Sequence, residues 1–393
     1  MPPLLKLILH FGRSAVHHIG ARFVTQEHGA RLPENDTIVP AAAVAWANTT
    51  GKFPDDWFAP DGGAVACSGL LPVLLDEDGK EHLYLPVPPK SIEINPAEQL
   101  HLIKVVNKVR WLREDVWRQW ASGVDVAELV LGEYFSEFEK RNGKPKEPPL
   151  TLSEYDGKWV KRSVQERVLL QPDMLEARAE REREAMRNDR KPADEIGKVV
   201  AKASDPYRVA SFRFAKGAAA AVVVDAGGHE AEFIKAVKLL GLAGIGGDRT
   251  YGYGQYQFEP SKDKSNFNLP EIAPAGAALT LGLMYPGHSP SGEMQSALSH
   301  SASRWQAISR QGRNTVPGTS QMVVSKRVRM VDKGALLAGL APGALGHPVN
   351  VFPECYTPEP PLEPWQKRIW RSGRTIALPV KLPDGNGSAG GAK

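Results

Sequence analysis

The chain has 393 residues, 42% hydrophobic and 24% charged, with a formal net charge of +4. That balance describes a soluble globular protein of two to three domains and excludes a fibrous or strongly charged disordered chain. Mild basicity is compatible with a polyanionic partner without demonstrating one.

No run approaches the ~18 apolar residues of a membrane span. Cys67 and Cys355 lack metal-type spacing and read as free, structural thiols in a reducing compartment. MPPLLKLILHFGRS holds one apolar run, too short and too poorly flanked for a signal peptide, so a cytoplasmic location is expected.

In chain order, LLKLILHF (Leu4–Phe11) reads as a buried strand. PENDTIVPAAAVAWANTTGK reads as a helix capped by Asp36 or Thr37. Pro40 falls in its first turn, and Ile38, Ala42 and Ala45 form its apolar face. From Trp57 to Lys90, apolar runs split by DEDGK and PVPPK read as a hairpin and loops. AEQLHLIKVVNKVRWLREDVWRQWASG is mostly helical in spacing, with strand character near its start. Trp111, Trp117 and Trp120 cluster on that helix as core or as a partner interface. KPKEPPL (Lys144–Leu150) is a hydrophilic linker. Met174–Lys191 is dense in mixed charge at helical spacing, as in a solvated helix, and the stretch after it reads as an excursion from the domain.

RVASFRFAKGAAAAVVVD gives two strands and a glycine turn, and HEAEFIKAVKLLGLA an amphipathic helix with Phe233, Ala236, Val237 and Leu240 on one face. A glycine-rich loop follows, then YGYGQYQFE alternating as a strand. Pro260–Pro274 is a polar linker. The remainder repeats the plan: GAALTLGLMYPG is a strand, SGEMQSALSHSASRWQAISRQG a helix, SQMVVSKRVRMVDKGALLAG further strands and WRSGRTIALPVKL a last one. DGNGSAGGAK reads as a disordered tail.

LLGLAGIGGDRTYGYGQYQFE (Leu239–Glu259) holds six glycines, an Asp-Arg pair and three tyrosines. Glycine permits positive φ and close approach to the backbone, which suits a phosphate-bearing ligand. No GxxxxGK[ST] run occurs. A dinucleotide fingerprint needs strand, glycines, helix, and here the helix comes first. A loop of this kind edged by Arg and Tyr suits single-stranded RNA: backbone N–H groups and arginine hold phosphates, and tyrosines stack on bases. Small βαββαβ sheets are a common platform for such recognition. The bland alternative is a tight connection without ligand.

GIGGDRTYGYGQYQF resembles the glycine-rich loop of the RAMP superfamily, the ferredoxin-like RNA-binding proteins of CRISPR systems. Its form is similar to that of the fourth subunit of the type III-A Csm effector complex. LILHFG and NDTIVPAAAVAW resemble that family's first strand and helix. RNDRK resembles its thumb-like insertion, and VRMVDKGALLAG, GHPVN and WRSGRTIALPV its last domain. Asn35 stands where the family often has Ser, Ile38 where it has Leu, and residues 57–175 match the family poorly and are not assigned by it.

The resemblance implies an α+β fold of two ferredoxin-like (RRM-like, βαββαβ) domains with a thumb-like insertion and a glycine-rich loop. Residues 1–259 form the first, with an insertion over about 57–205 and its thumb over about 184–205; 260–274 is the linker, 275–383 the second domain and 384–393 the tail. It also implies a non-catalytic subunit of an antiviral ribonucleoprotein. Such a subunit binds the repeat-derived 5′ tag of the crRNA and contacts a large polymerase-type subunit and a backbone RAMP subunit, with no cofactor, metal or membrane. The runner-up is a metal-independent endoribonuclease that processes repeat RNA, with His17 and His18 as acid and base.

Gly12, Gly244, Gly246, Gly247, Gly252 and Gly254 are expected to approach RNA backbone, or to serve turn geometry alone. Arg249, beside Thr250, holds a phosphate or pairs with Asp248. Tyr251 and Tyr253 stack on bases or pack inward. Arg187, Asn188 and Arg190 sit at the thumb tip or at a solvated helix end. Asp36 and Thr37 lie where a helix N-terminus offers N–H groups to phosphate. Lys326, Arg327 and Arg329 alternate partly along a strand and face RNA, a neighbouring subunit or solvent.

Overall fold

The computed structural model describes residues 3–12, 32–59, 64–88, 92, 102–139, 147–154, 156–167, 207–246, 253–272, 276–290, 292–316, 319, 321–356 and 361–382. No described helix is long and apolar enough to cross a membrane.

β1 (Leu4–Phe11) is followed by α1 (Asn35–Thr50). Then come β2 (Ala66–Cys67), β3 (Leu71–Leu75), β4 (Glu81–Pro86), β5 (Trp111–Arg113), α2 (Glu114–Ala121), α3 (Ala127–Glu139), β6 (Thr151–Leu152) and β7 (Val160–Arg167). β8 (Tyr207–Phe214), β9 (Ala218–Asp225), α4 (Glu230–Ala243), β10 (Tyr256–Gln257) and β11 (Lys264–Phe267) complete the first unit.

Nine strands form one antiparallel sheet in the order β10-β1-β9-β3-β4-β5-β6, with β11 also on β1 and β2 on β9. The apolar runs explain the order. Leu7, Ile8 and Leu9 of β1 and Ala219 to Val224 of β9 are at most 2% exposed. Successive strand residues point to opposite faces, so both faces of the sheet centre are covered.

α1 starts at Asn35, with Glu34 as its N-cap residue. Asp36 and Thr37 therefore lie inside the first turn and do not cap it, and Pro40 falls in the second turn. Ile38, Ala42 and Ala45 are buried as the spacing requires, and so are Phe233, Ala236, Val237 and Leu240 of α4.

The region expected as an insertion is partly core. β2 and β3 enter the central sheet, and the β3–β4 hairpin turns at Gly79, φ 81°. Trp111 is on strand β5, not on the helix; only Trp117 and Trp120 are helical, and Trp111 and Trp117 are core. The linker before Leu150 is pinned: the Leu150 N–H donates to Glu133 Oε1 at 2.7 Å, and the Tyr84 hydroxyl donates to the Pro149 carbonyl. β7 and β8 pair over eight residues as a separate ribbon whose far end leads to residues 168–206.

The stretch expected as a linker after Pro260 carries β11, whose Lys264–Phe267 pair with Leu7–Leu4 of β1. Beyond it lie β12 (Ala277–Thr280), α5 (Gly292–Ser299), β13 (Ala307–Arg310), β14 (Arg313–Thr315), β15 (Met322–Val324), β16 (Val328–Val331), β17 (Leu336–Ala338), β18 (Gly343–Leu345), β19 (Pro348–Asn350), β20 (Trp370–Ser372) and β21 (Thr375–Val380). The helix expected over SGEMQSALSHSASRWQAISRQG stops at Ser299, and Ala307–Arg310 pairs with β16 instead. β17-β12-β21-β18 form a four-stranded sheet, and β13-β16, β14-β15 and β19-β20 form ribbons. This unit departs from βαββαβ: α5 is its single α-helix among the described residues, because much of its chain is spent on ribbons.

The two units share a core. Leu279, Leu281, Ile376, Leu378 and Val380 of the second pack in the same cluster as Leu7, Val222 and Phe233 of the first.

Candidate nucleic-acid interface

α4 ends at Gly244, which takes φ 80° and ψ 151° and donates its N–H to Leu240 O at 2.8 Å. The glycine-rich loop leaves and returns through a neck. The Ile245 N–H donates to Gly254 O at 3.0 Å. A Cβ on Gly244 would lie 2.4 Å from Tyr253 O, and one on Gly254, at φ +77°, would lie 2.0 Å from Ile245 O. Both glycines are thus required by closure of the loop on itself. Gly246, φ 103°, continues from the neck.

β10 leads out of the loop and pairs with the end of β1, Phe11 opposite Tyr256 and His10 opposite Gln257. One step further, the register sets Gly12 beside Gln255. Gly12 is exposed, with nothing within 4 Å of an added Cβ. The sheet thereby gathers Gly12, Gly244, Gly246, Tyr253 and Gly254 at one edge, although Gly12 and Gly254 lie far apart in sequence.

Two exposed ion pairs join α4 to the chain that follows β10. Lys238 pairs with Glu259 at 3.1 Å and Lys264 with Glu230 at 3.0 Å, all four side chains at least 37% exposed. Exposed pairs of this kind contribute only about 0–1 kcal/mol. His10 Nε2 lies 3.1 Å from Asp263 Oδ1. Among the described residues, no group of three or more His, Cys, Asp or Glu is placed to hold a metal ion.

At the loop end of β1, Phe11 offers no free ring to stack on. Phe11 is 6% exposed and stacks on Phe214, ring centroids 4.3 Å apart and planes 5° apart.

Asp36 is removed from any RNA contact. Its side chain has no exposure and accepts from Arg310 Nε and Nη2 (2.9 and 3.0 Å) and Arg371 Nη1 (2.7 Å). Burial raises its pKa, but the two guanidiniums outweigh burial and hold the carboxyl below the usual range. Thr37, half-buried, donates to Asp36 Oδ1 at 3.2 Å. The preceding Asn35 is buried and donates to Leu283 O and Ser372 O while accepting from the Leu283 N–H. The NDT stretch therefore rivets the two units. Its signal in the sequence was a run of polar residues at the head of a helix with no other charge, and nothing local named the partners.

No protein-family model and no curated protein sequence matches the chain. Among solved structures, a chain of the Csm3–Csm4 subcomplex in the type III-A CRISPR-Cas interference complex is similar, with 11% identity and a TM-score of 0.54 over 96% of this chain and 100% of that one. A chain of a Csm1–Csm4 cassette in complex with cA4 has 14% identity and a TM-score of 0.49 over 98% and 100%.

The fold is Csm4-like.

In this Csm4-like chain, Gly247, Arg249, Thr250, Tyr251 and Gly252 of the loop lie outside the described residues. So do Arg187, Asn188 and Arg190 of the expected thumb and the His17–His18 pair. Tyr253 is described and half-buried. Arg329 lies exposed on β16, but Lys326 and Arg327 precede that strand, and Lys326 pairs with Glu354 at 2.5 Å. Cys67 is buried, which pushes its thiol pKa far up, whereas Cys355 is exposed and not a core thiol.

Proposed function

We propose that this chain is a non-catalytic subunit of a type III CRISPR ribonucleoprotein effector. In this role it binds the repeat-derived 5′ tag of the crRNA and caps the complex beside the large polymerase-type subunit. The observation that carries the reading is the end-to-end fold likeness to a chain of the Csm3–Csm4 subcomplex, at a TM-score of 0.54. That neighbour is named for an interference complex, which supports a backbone RAMP subunit as one partner. The polymerase-type partner and the 5′ tag rest on the sequence resemblance. The order β10-β1-β9-β3, with α1 after β1 and α4 after β9, supports a ferredoxin-like reading of the first unit.

Physically, the loop neck and Gly12 offer bare backbone at a sheet rim, and Lys238, on the helix that ends at the loop, supplies exchangeable charge. The test uses the full chain with labelled repeat RNA and with a guide carrying the 5′ tag, at stated salt. Tag-dependent retention without cleavage is expected, weakened by Arg249→Ala. Clean cutting of repeat RNA, abolished by His17→Ala or His18→Ala, would replace this reading with the endoribonuclease. If neither RNA is retained, the same measurement is repeated after co-expression with the large subunit.

A further inference from the structure

A cleft of about 510 Å³ lies between the two units, well away from the glycine loop. Its first-unit wall includes Pro86 at the end of β4, Trp111 on β5 and Arg110 just before it. β5 lies four places from β1 across the sheet, whereas the loop adjoins β1's other edge. The second-unit wall runs over Ser303–Gln306 and Asp332–Ala335.

Both walls are firmly built. Arg304 and Leu336 exchange two backbone hydrogen bonds at 2.9 Å, and the Asp332 N–H donates to Gln306 O at 2.9 Å. Lys333 crosses to the first unit, donating to Glu34 Oε1 at 2.6 Å and lying 4.8 Å from the centre of the Trp111 ring. Gly334, φ 78°, lets the turn close on Pro86: a Cβ there would lie 3.4 Å from the Pro86 Cβ.

Trp305 distinguishes this cleft. It is 40% exposed, yet its indole N–H donates to Leu298 O at 2.9 Å, which fixes the ring at the end of α5. A fixed, exposed indole on a cleft wall is a stacking platform, and every nucleobase has a face to stack. The volume falls within the range of small-ligand pockets, roughly 300–1,000 Å³. Arg110, Arg304, Glu154 and Asp332 all line the walls, so the cleft holds charge for a phosphate together with acceptors for base amino groups, Arg110 Nη1 being anchored on Asn107 O and Val109 O at 2.9 and 3.0 Å. An arginine from a partner protein would also stack on Trp305, meeting Arg110 and Arg304 as well as Glu154 and Asp332, and the absence of an RNA crosslink at Trp305 would favour it.

We propose that this cleft is a nucleotide pocket in which Trp305 stacks on one unpaired base of a bound RNA strand and the wall arginines neutralise its phosphate. The proposal rests on the RNA-binding reading above and adds a second contact point on the opposite side of the sheet.

The full chain would be photocrosslinked to labelled single-stranded RNA containing 4-thiouridine and digested with trypsin. RNA affinity would be measured for the wild type, Trp305→Ala and Trp305→Phe. A crosslink in the Trp305–Arg310 peptide is expected, with affinity lowered about 5- to 150-fold by Trp305→Ala and within about 3-fold of wild type for Trp305→Phe. Wild-type affinity in Trp305→Ala, or crosslinks confined to other peptides, would overturn the pocket and leave the RNA reading standing. Failure of the wild type to retain any RNA, alone and after co-expression with the large subunit, would overturn both. Should Trp305→Ala not fold, the crosslink map alone decides.

Discussion

Asp36 and Glu34 sit two positions apart at the head of α1 and respond to pH in opposite directions. Asp36 is held below the ordinary aspartate range, so its contribution to stability is complete at neutral pH and disappears as pH falls through its folded-state value. Replacing it with Ala leaves Arg310 and Arg371 facing each other without their carboxylate. A loss of about 3–5 kcal/mol is expected, read from the urea midpoint. Glu34 is pushed up from 4.5 to about 7 by burial, which outweighs Lys333. Its folded state favours the proton, so stability declines as pH rises from about 4.5 to about 7 and levels off above that, by about 3 kcal/mol in all. Glu34→Gln is expected to flatten that part of the stability–pH curve, measured by thermal melts in a buffer series.

The glycine loop is the element on which the proposed function turns, and the glycines of this rim separate into two kinds. Gly254→Ala forces a Cβ against Ile245 O at positive φ, and a cost of about 1–3 kcal/mol is expected in a thermal melt together with weaker RNA retention. Gly12→Ala meets open space, so its melt should match the wild type, and any loss of RNA binding there reports a direct contact. Arg249→Ala is expected to lower RNA affinity and to reduce the slope of log affinity against log salt by about 1, because one phosphate contact is removed. Of this site, the loop and its flanking helix were legible in the sequence, because glycine density and 3.6-residue spacing are local signals. The adjacency of Gly12 was not, since it depends on β10 pairing with β1. Neither was the pairing of Lys238 on α4 with Glu259 after β10.

The whole molecule behaves as one body. Leu279, Ile376 and Leu378 of the second unit are fully buried in the core that also holds β1 and α4. Asn35 and Asp36 add polar bonds across the same boundary. A single unfolding transition is therefore expected, coincident by far-UV circular dichroism and tryptophan fluorescence. Leu378→Ala should lower the stability of both units together by about 2–5 kcal/mol. Two separate transitions would show that the shared core does not couple them.

Taken alone, the amino-acid sequence determined which segments are apolar and with what period: β1, the α1 and α4 faces, the β3–β4 hairpin, and the glycine loop between α4 and β10. These are short-range properties of backbone and side chain. Only the tertiary structure decided who pairs with whom. β8 was legible as a strand, but its pairing with β7 spans residues 168–206. β2 and β3 read as part of an insertion and became core strands. Asp36 read as a cap or phosphate neighbour until Arg310, 274 positions away, enclosed it. Trp305 read as part of a helix and stands instead on a cleft wall. The physical reason is the same in each case. A buried charge or a strand edge is satisfied by whatever group the fold brings within 3 Å, and sequence distance carries no information about that group.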